Sequence, residues 1–121
     1  MFFLDKTIFQ ILGQIIIGLF FLIMIVKNIR VWRFNIVRIG GILPKPKFFL
    51  VINLGLQFVA GLALIIDYGS SAAAIVLIVL TVLATAMFHR FWIMKDPLKN
   101  NYHMLFFFNN IAIIGALIIL I

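Results

Sequence analysis

The chain has 121 residues, 66% of them hydrophobic and only 11% charged, with a formal net charge of +7. A water-soluble domain keeps roughly 25% of its residues charged, so this chain could not cover a surface facing water, and a bilayer is the solvent that suits it. There is no cysteine, which excludes disulfides, thiol redox chemistry and thiolate metal sites.

In chain order, the first apolar run covers residues 7–26. It is longer than the apolar core of a secretory signal and lacks a small-residue cleavage site, so it is expected to remain as a helix. Three further runs follow at 48–66, 71–88 and 105–121. Each is close to the ~20 residues that cross a ~30 Å hydrocarbon layer at 1.5 Å per residue. The runs are continuous rather than alternating, and backbone in lipid must satisfy its own hydrogen bonds, so helices are expected. The predicted fold is an all-α, polytopic transmembrane four-helix bundle in a single domain.

The first connection, residues 27–47, is basic and closed by Gly40, Gly41, Pro44 and Pro46. Within it Ile29, Trp32, Ile36 and Ile39 recur at helical spacing, with Lys27, Arg30 and Arg33 opposite. That pattern predicts a short interfacial helix with its apolar side down in the headgroups. Asp67, Tyr68, Gly69 and Ser70 form a tight turn, and the third connection, 89–104, is polar and basic with Pro97 inside it. Nine of the ten Lys and Arg fall in the first and third connections, and only Lys6 lies on the other side. The excess of positive charge predicts a cytoplasmic placement for those two connections, with both termini outside. Arg30, Trp32, Arg33, Trp92 and Tyr102 are the expected anchors at the membrane surfaces. The basic charge is thus directed at anionic lipid headgroups rather than at nucleic acid, which needs an exposed basic scaffold.

Polar residues inside the spans fall four apart, on one face of each helix. The first carries Gln10, Gln14 and Gly18, the second Asn53, Gln57 and Gly61, and the third Thr81, Thr85 and His89. The fourth has Asn109 and Asn110, with Ala112 and Ala116 as a small-residue pair. Two readings stand. The seams are interhelical glue, each bond contributing roughly 0.6 kcal/mol and at most about 2, with glycines allowing close approach; or Gln14, Asn53, Gln57, Thr85, His89, Asn109 and Asn110 line a site for a small amphipathic ligand. His89 and His103 lie at the ends of their spans with no carboxylate or cysteine at ligand spacing. A zinc site requires three or four protein ligands, so no metal is expected. Neither a nucleophile–base pair nor a phosphate loop nor paired carboxylates occur, so no catalytic residue is assigned.

The second half of the chain has a family likeness. The stretches LGLQFVAGLALII (54–66), TVLATAMFHRFW (81–92) and FFFNNIAIIGALIILI (106–121) resemble the DoxX family of small bacterial membrane proteins. Phe88-His89-Arg90-Phe91-Trp92 and the element from Asn110 to Gly115 carry most of the likeness. The glycine-to-proline step from Gly41 to Pro44 is also similar, and the resemblance covers most of residues 13–121. It implies a four-helix protein of the bacterial inner membrane. Family members have been linked to thiosulfate:quinone oxidoreduction and to oxidative-stress complexes. The chain departs from the family pattern at three places: Gln14 where a basic residue is common, Gln57 where glutamate is common, and Asn109 where lysine is frequent. Amides do not titrate, so a proton relay through these positions is not expected. The lack of a catalytic set, the small extramembrane mass and the apolar surface available to other helices lead to the expectation of a non-catalytic membrane subunit or assembly factor, packed in a larger redox or transport complex. The alternatives are a quinone-binding component of a redox system, with the headgroup near Gln57, Asn110 and His89, and a small-molecule carrier.

Overall fold

The computed structural model describes residues 3–88, 93 and 95–121. His89 and Trp92, singled out above, lie outside the described residues. The described chain is helical throughout, with α1 at Ile8–Arg30, α2 at Trp32–Gly40, α3 at Pro46–Ile66, α4 at Ser70–Phe88 and α5 at Pro97–Ile119. Four of the five, α1, α3, α4 and α5, are long and apolar enough to cross a membrane. The protein is a multi-pass membrane protein with a helical-bundle fold, as its hydropathy pattern predicts.

Local chemistry sets the helix ends. Thr7 caps α1 through a reciprocal box, accepting from the Gln10 N–H at 3.1 Å while Gln10 Oε1 accepts from the Thr7 N–H at 2.9 Å. This satisfies two otherwise orphaned donors, and Gln10 is exposed there rather than on the buried seam expected of it. Pro46 and Pro97 both sit in the first turn of their helices, where a missing N–H costs nothing. The α3 helix stops at Asp67, in the left-handed conformation with φ 56°. The Tyr68 N–H reaches back to the Ala63 carbonyl at 2.9 Å, closing the helix in a Schellman manner. Gly69, at φ +62°, then turns the chain into α4.

Two boundaries differ from expectation. The fourth span begins at Pro97 rather than near residue 105, because Asp96 caps it by accepting from the Leu98 N–H at 3.0 Å. The polar stretch 97–104, including Tyr102 and His103, is therefore helix and not connection. At the other junction α1 runs on to Arg30 and leaves Ile29 exposed. The short helix starts only at Trp32. Its apolar side faces the protein itself: Ile39 and Ile36 pack with Ile25, Leu50 and Leu54. Arg30 and Arg33 are exposed, Trp32 is partly buried and Tyr102 is exposed.

Packing runs in the order α1, α3, α4, α5, with α2 laid across α3. One core cluster gathers Phe21, Ala60, Leu64, Ala73, Ala74, Leu77 and Leu117 toward the Asp67 end. Leu117 is the one residue of α5 that is fully buried. At the same end the Ser71 hydroxyl donates to the Ile121 carbonyl at 3.2 Å. The α5 helix is therefore tied in at its C-terminal end. Toward the α2 end it parts from α1, and a cleft opens between them.

Candidate functional site

Among the described residues the polar side chains gather mainly at two centres. The first lies at the Asp67 end. Topology returns the chain to this end just after α3, so residue 67 meets residues 3–14 across the α1–α3 packing. Lys6 Nζ pairs with Asp67 Oδ1 at 2.7 Å and donates to Gln14 Oε1 at 2.5 Å. Gln14 Nε2 donates to Asp67 Oδ1 at 2.9 Å and to the Leu64 carbonyl at 2.8 Å. The Phe3 N–H donates to Asp67 Oδ2 at 2.6 Å. Asp67 is 1% exposed and Gln14 0%. Burial pushes the Asp67 carboxyl up, but hydrogen bonds from Gln14, Lys6, the Phe3 N–H and Ser70 outweigh it. The group is held well below the usual carboxylate range, because each donor favours its charged form.

This centre revises two expectations. Gln14 does not join the other amides, but completes a buried ion pair. Asp67, read from sequence as a residue of a tight turn, is the anion at its heart. The available signal was topological: with four spans, Lys6 and Asp67 must share one end, and Lys6 is the single cation there.

The second centre lines the cleft. Two adjoining cavities, of about 220 Å3 and about 1000 Å3, share walls formed by Phe20, Met24, Lys27, Arg38, Phe88 and Asn110. Asn53 and Gln57 of α3 and Thr81 of α4 line the smaller one, while Asn109 and His103 of α5 line the larger. The bonds among these groups are mostly internal to single helices. Gln57 Nε2 donates to Asn53 Oδ1 one turn earlier at 3.3 Å. The Thr81 and Thr85 hydroxyls donate to the carbonyls of Leu77 and Thr81, both at 2.7 Å. Between helices, Asn110 Nδ2 donates to Thr85 Oγ1 at 2.9 Å, and His103 of α5 is hydrogen-bonded to the Phe88 backbone of α4. At the α1–α2 junction Asn35 Nδ2 donates to the Asn28 carbonyl at 3.1 Å.

The glue reading therefore holds for Gln14 and for the Asn110–Thr85 pair. Truncating Asn110 to alanine should cost about 1 kcal/mol, the scale of one interhelical bond in a bilayer, read as a lower melting temperature in detergent. Asn53 and Gln57 bridge no helices. Gln57 Oε1 is buried with no hydrogen-bond partner, and a buried acceptor left unmade costs roughly 1–3 kcal/mol. Asn109 stands near the middle of α5 and is exposed toward the larger cleft rather than buried in the bundle. Among the described residues Asn53, Gln57 and Asn109 thus line the two cavities without joining helices. Among the described residues no group of three His, Cys, Asp or Glu side chains is placed to hold a metal.

Comparison with known proteins finds no matching family model, no matching curated protein and no matching solved structure.

Proposed function

We propose that the protein is a non-catalytic integral membrane subunit or assembly factor of a larger complex, resembling DoxX proteins. It sits in the bacterial inner membrane with its termini outside and its basic connections in the cytoplasm. The observation that carries this reading is α5. It packs chiefly on α4, buries Leu117 alone, and presents Asn109 at mid-span to a cleft its own bundle leaves open. An amide at that depth is costly unless a partner bonds it, and helices of neighbouring subunits supply such bonds. A photo-crosslinker placed at position 109 should trap a distinct membrane protein in cells, and that protein should copurify in stoichiometric amount in mild detergent. A lone monodisperse chain that crosslinks only to lipid would sink this reading.

A second reading, the quinone-binding component, has an observation of its own in the orphaned Gln57 Oε1. A quinol hydroxyl would donate to this oxygen. With both amides turned over, Asn53 Nδ2 would donate to Gln57 Oε1 and Gln57 would instead offer an N–H to a quinone carbonyl. Asn53, Thr81 and Asn110 surround the same small cavity. Because Gln57 bridges no helices among the described residues, Gln57→Leu is expected to leave the bundle folded, whereas the glue reading of its seam would have the substitution harm assembly. Quinone should then be present in lipid extracts of the native protein and absent from those of Gln57→Leu. Gln57→Glu should confer no pH-dependent activity.

A further inference from the structure

The mouth of the cleft holds a set of side chains for which the bundle has no internal use. Lys27 comes from the last turn of α1, Arg38 from the last turn of α2 and Lys99 from the first turn of α5. All three line the larger cavity. None of the chain's three carboxylates, Asp5, Asp67 and Asp96, lines either cavity. Three cations drawn from three elements into one concavity repel one another, and within it no anion offsets them.

Arg38 is the centre of the set. It is half-buried, with its guanidinium 4.3 Å from the Phe88 ring centroid and 5.4 Å from that of Phe34. The two rings position the planar group, but they do not use its donors. Burial lowers the Arg38 pKa from its ordinary value, as happens when a cation loses water without gaining an anion. A guanidinium held this way matches the two oxygens of a phosphate.

The wall beyond the cations is apolar, built by Phe20 and Met24 of α1 and by Phe106 and Ile113 of α5. The cavity is lined by α1 and α5, both long and apolar enough to cross a bilayer. Cations from the helix ends and an apolar wall further along the same spans match, in order, the phosphate and the acyl chain of a phospholipid. A free phosphate would use the first of these features and not the second.

We propose that the cleft binds one anionic phospholipid, its phosphate held by Arg38, Lys27 and Lys99 and one acyl chain laid along Phe20, Met24 and Ile113. This site is distinct from the general attraction of a basic surface for anionic membrane, which is spread over every exposed Lys and Arg near the headgroups. It goes beyond the proposed subunit role, and because Asn109 lines the same cavity the lipid is read on the isolated chain, where no partner fills the cleft.

The test uses the full chain in a zwitterionic detergent, titrated separately with phosphatidylglycerol, phosphatidylcholine and inorganic phosphate while melting is followed. Phosphatidylglycerol should raise the melting temperature saturably, and phosphatidylcholine and phosphate should not. Arg38→Gln should weaken the apparent affinity for phosphatidylglycerol roughly tenfold, the scale of one charge-assisted contact. Lys27→Gln, on an exposed side chain whose loss disturbs no packing, should weaken it in the same direction. Arg33→Gln removes the same charge from the same short helix, outside the cleft, and should leave the affinity unchanged. Equal weakening by Arg33→Gln, or equal stabilisation by phosphatidylcholine, would overturn the site. Stabilisation by inorganic phosphate alone, lost in Arg38→Gln, would make it a free-anion site and overturn the lipid.

Discussion

Asp67→Ala is expected to destabilise the protein by about 3 kcal/mol, the low end of what removing one partner of a buried ion pair costs. Asp67 is 1% exposed while Lys6 is 24% exposed, so the stranded ammonium can still reach some water, which keeps the loss at that end of the range. Gln14, 0% exposed, has no such escape: it loses its bond to Asp67 and keeps those with the Leu64 carbonyl and Lys6. The double variant Lys6→Met, Asp67→Leu should recover part of the loss, because removing both charges leaves neither unpaired. Thermal unfolding in detergent reads both effects, and an Asp67→Ala protein as stable as the native one would show that the pair contributes nothing. The pH dependence follows from the sign of the shift. A carboxyl held below its ordinary pKa of about 3.9 contributes stability that is fully present above that value and lost as pH falls through the depressed one. Melting should therefore be insensitive to this group from roughly pH 8 to pH 5 and should decline only in stronger acid.

Gly18→Leu should prevent α1 and α3 from packing, and even Gly18→Ala should cost about 1–3 kcal/mol by overpacking. A Cβ at Gly18 would lie 2.8 Å from the Gly61 carbonyl oxygen, 2.8 Å from Ile65 Cγ1 and 3.3 Å from Leu64 Cβ. The first of these is backbone and cannot give way unless the helices separate. Gly61→Ala should be milder, since its nearest neighbour is Leu22 Cδ2 at 3.1 Å, the end of a flexible side chain. Gly55 and Gly115 provide the internal control. Nothing lies within 4 Å of a Cβ at either, so alanine there should be neutral or slightly stabilising through helix propensity. Equal losses at Gly18 and Gly55, measured by melting and by size-exclusion profile, would mean that the close crossing does not hold the bundle.

Much of this architecture is written in local patterns. The apolar runs locate four spans because hydrocarbon thickness sets their length, and the turn at Asp67 and Gly69 is visible from composition. Trp32, Ile36 and Ile39 identify the short helix by spacing, although their periodicity cannot say whether the apolar side meets lipid or protein. The four-residue register of Gln14 and Gly18 and of Gln57 and Gly61 marks the faces on which α1 and α3 meet. Some misses were local as well. Thr7 with Gln10 is a capping-box pattern and Asp96 with Pro97 a helix start, but the polar run through Lys99, Asn100 and Asn101 outweighed the second. The pairing of Lys6 with Asp67 has no local signature, since 61 positions separate them, and it follows only from counting crossings. The cleft is least legible, because the divergence of α5 from α1 is set by tertiary packing around Leu117.

The bond between the two ends of that long interval also orders events during synthesis. The N-terminal residues emerge first, yet the partner that anchors them is the residue that closes the α3 helix. Until the third helix has been made and inserted, Lys6 and Gln14 have only each other and the lipid surface. Helix α1 is therefore locked only once α3 is in place, and the turn that follows α3 acts as the latch for a door hung earlier.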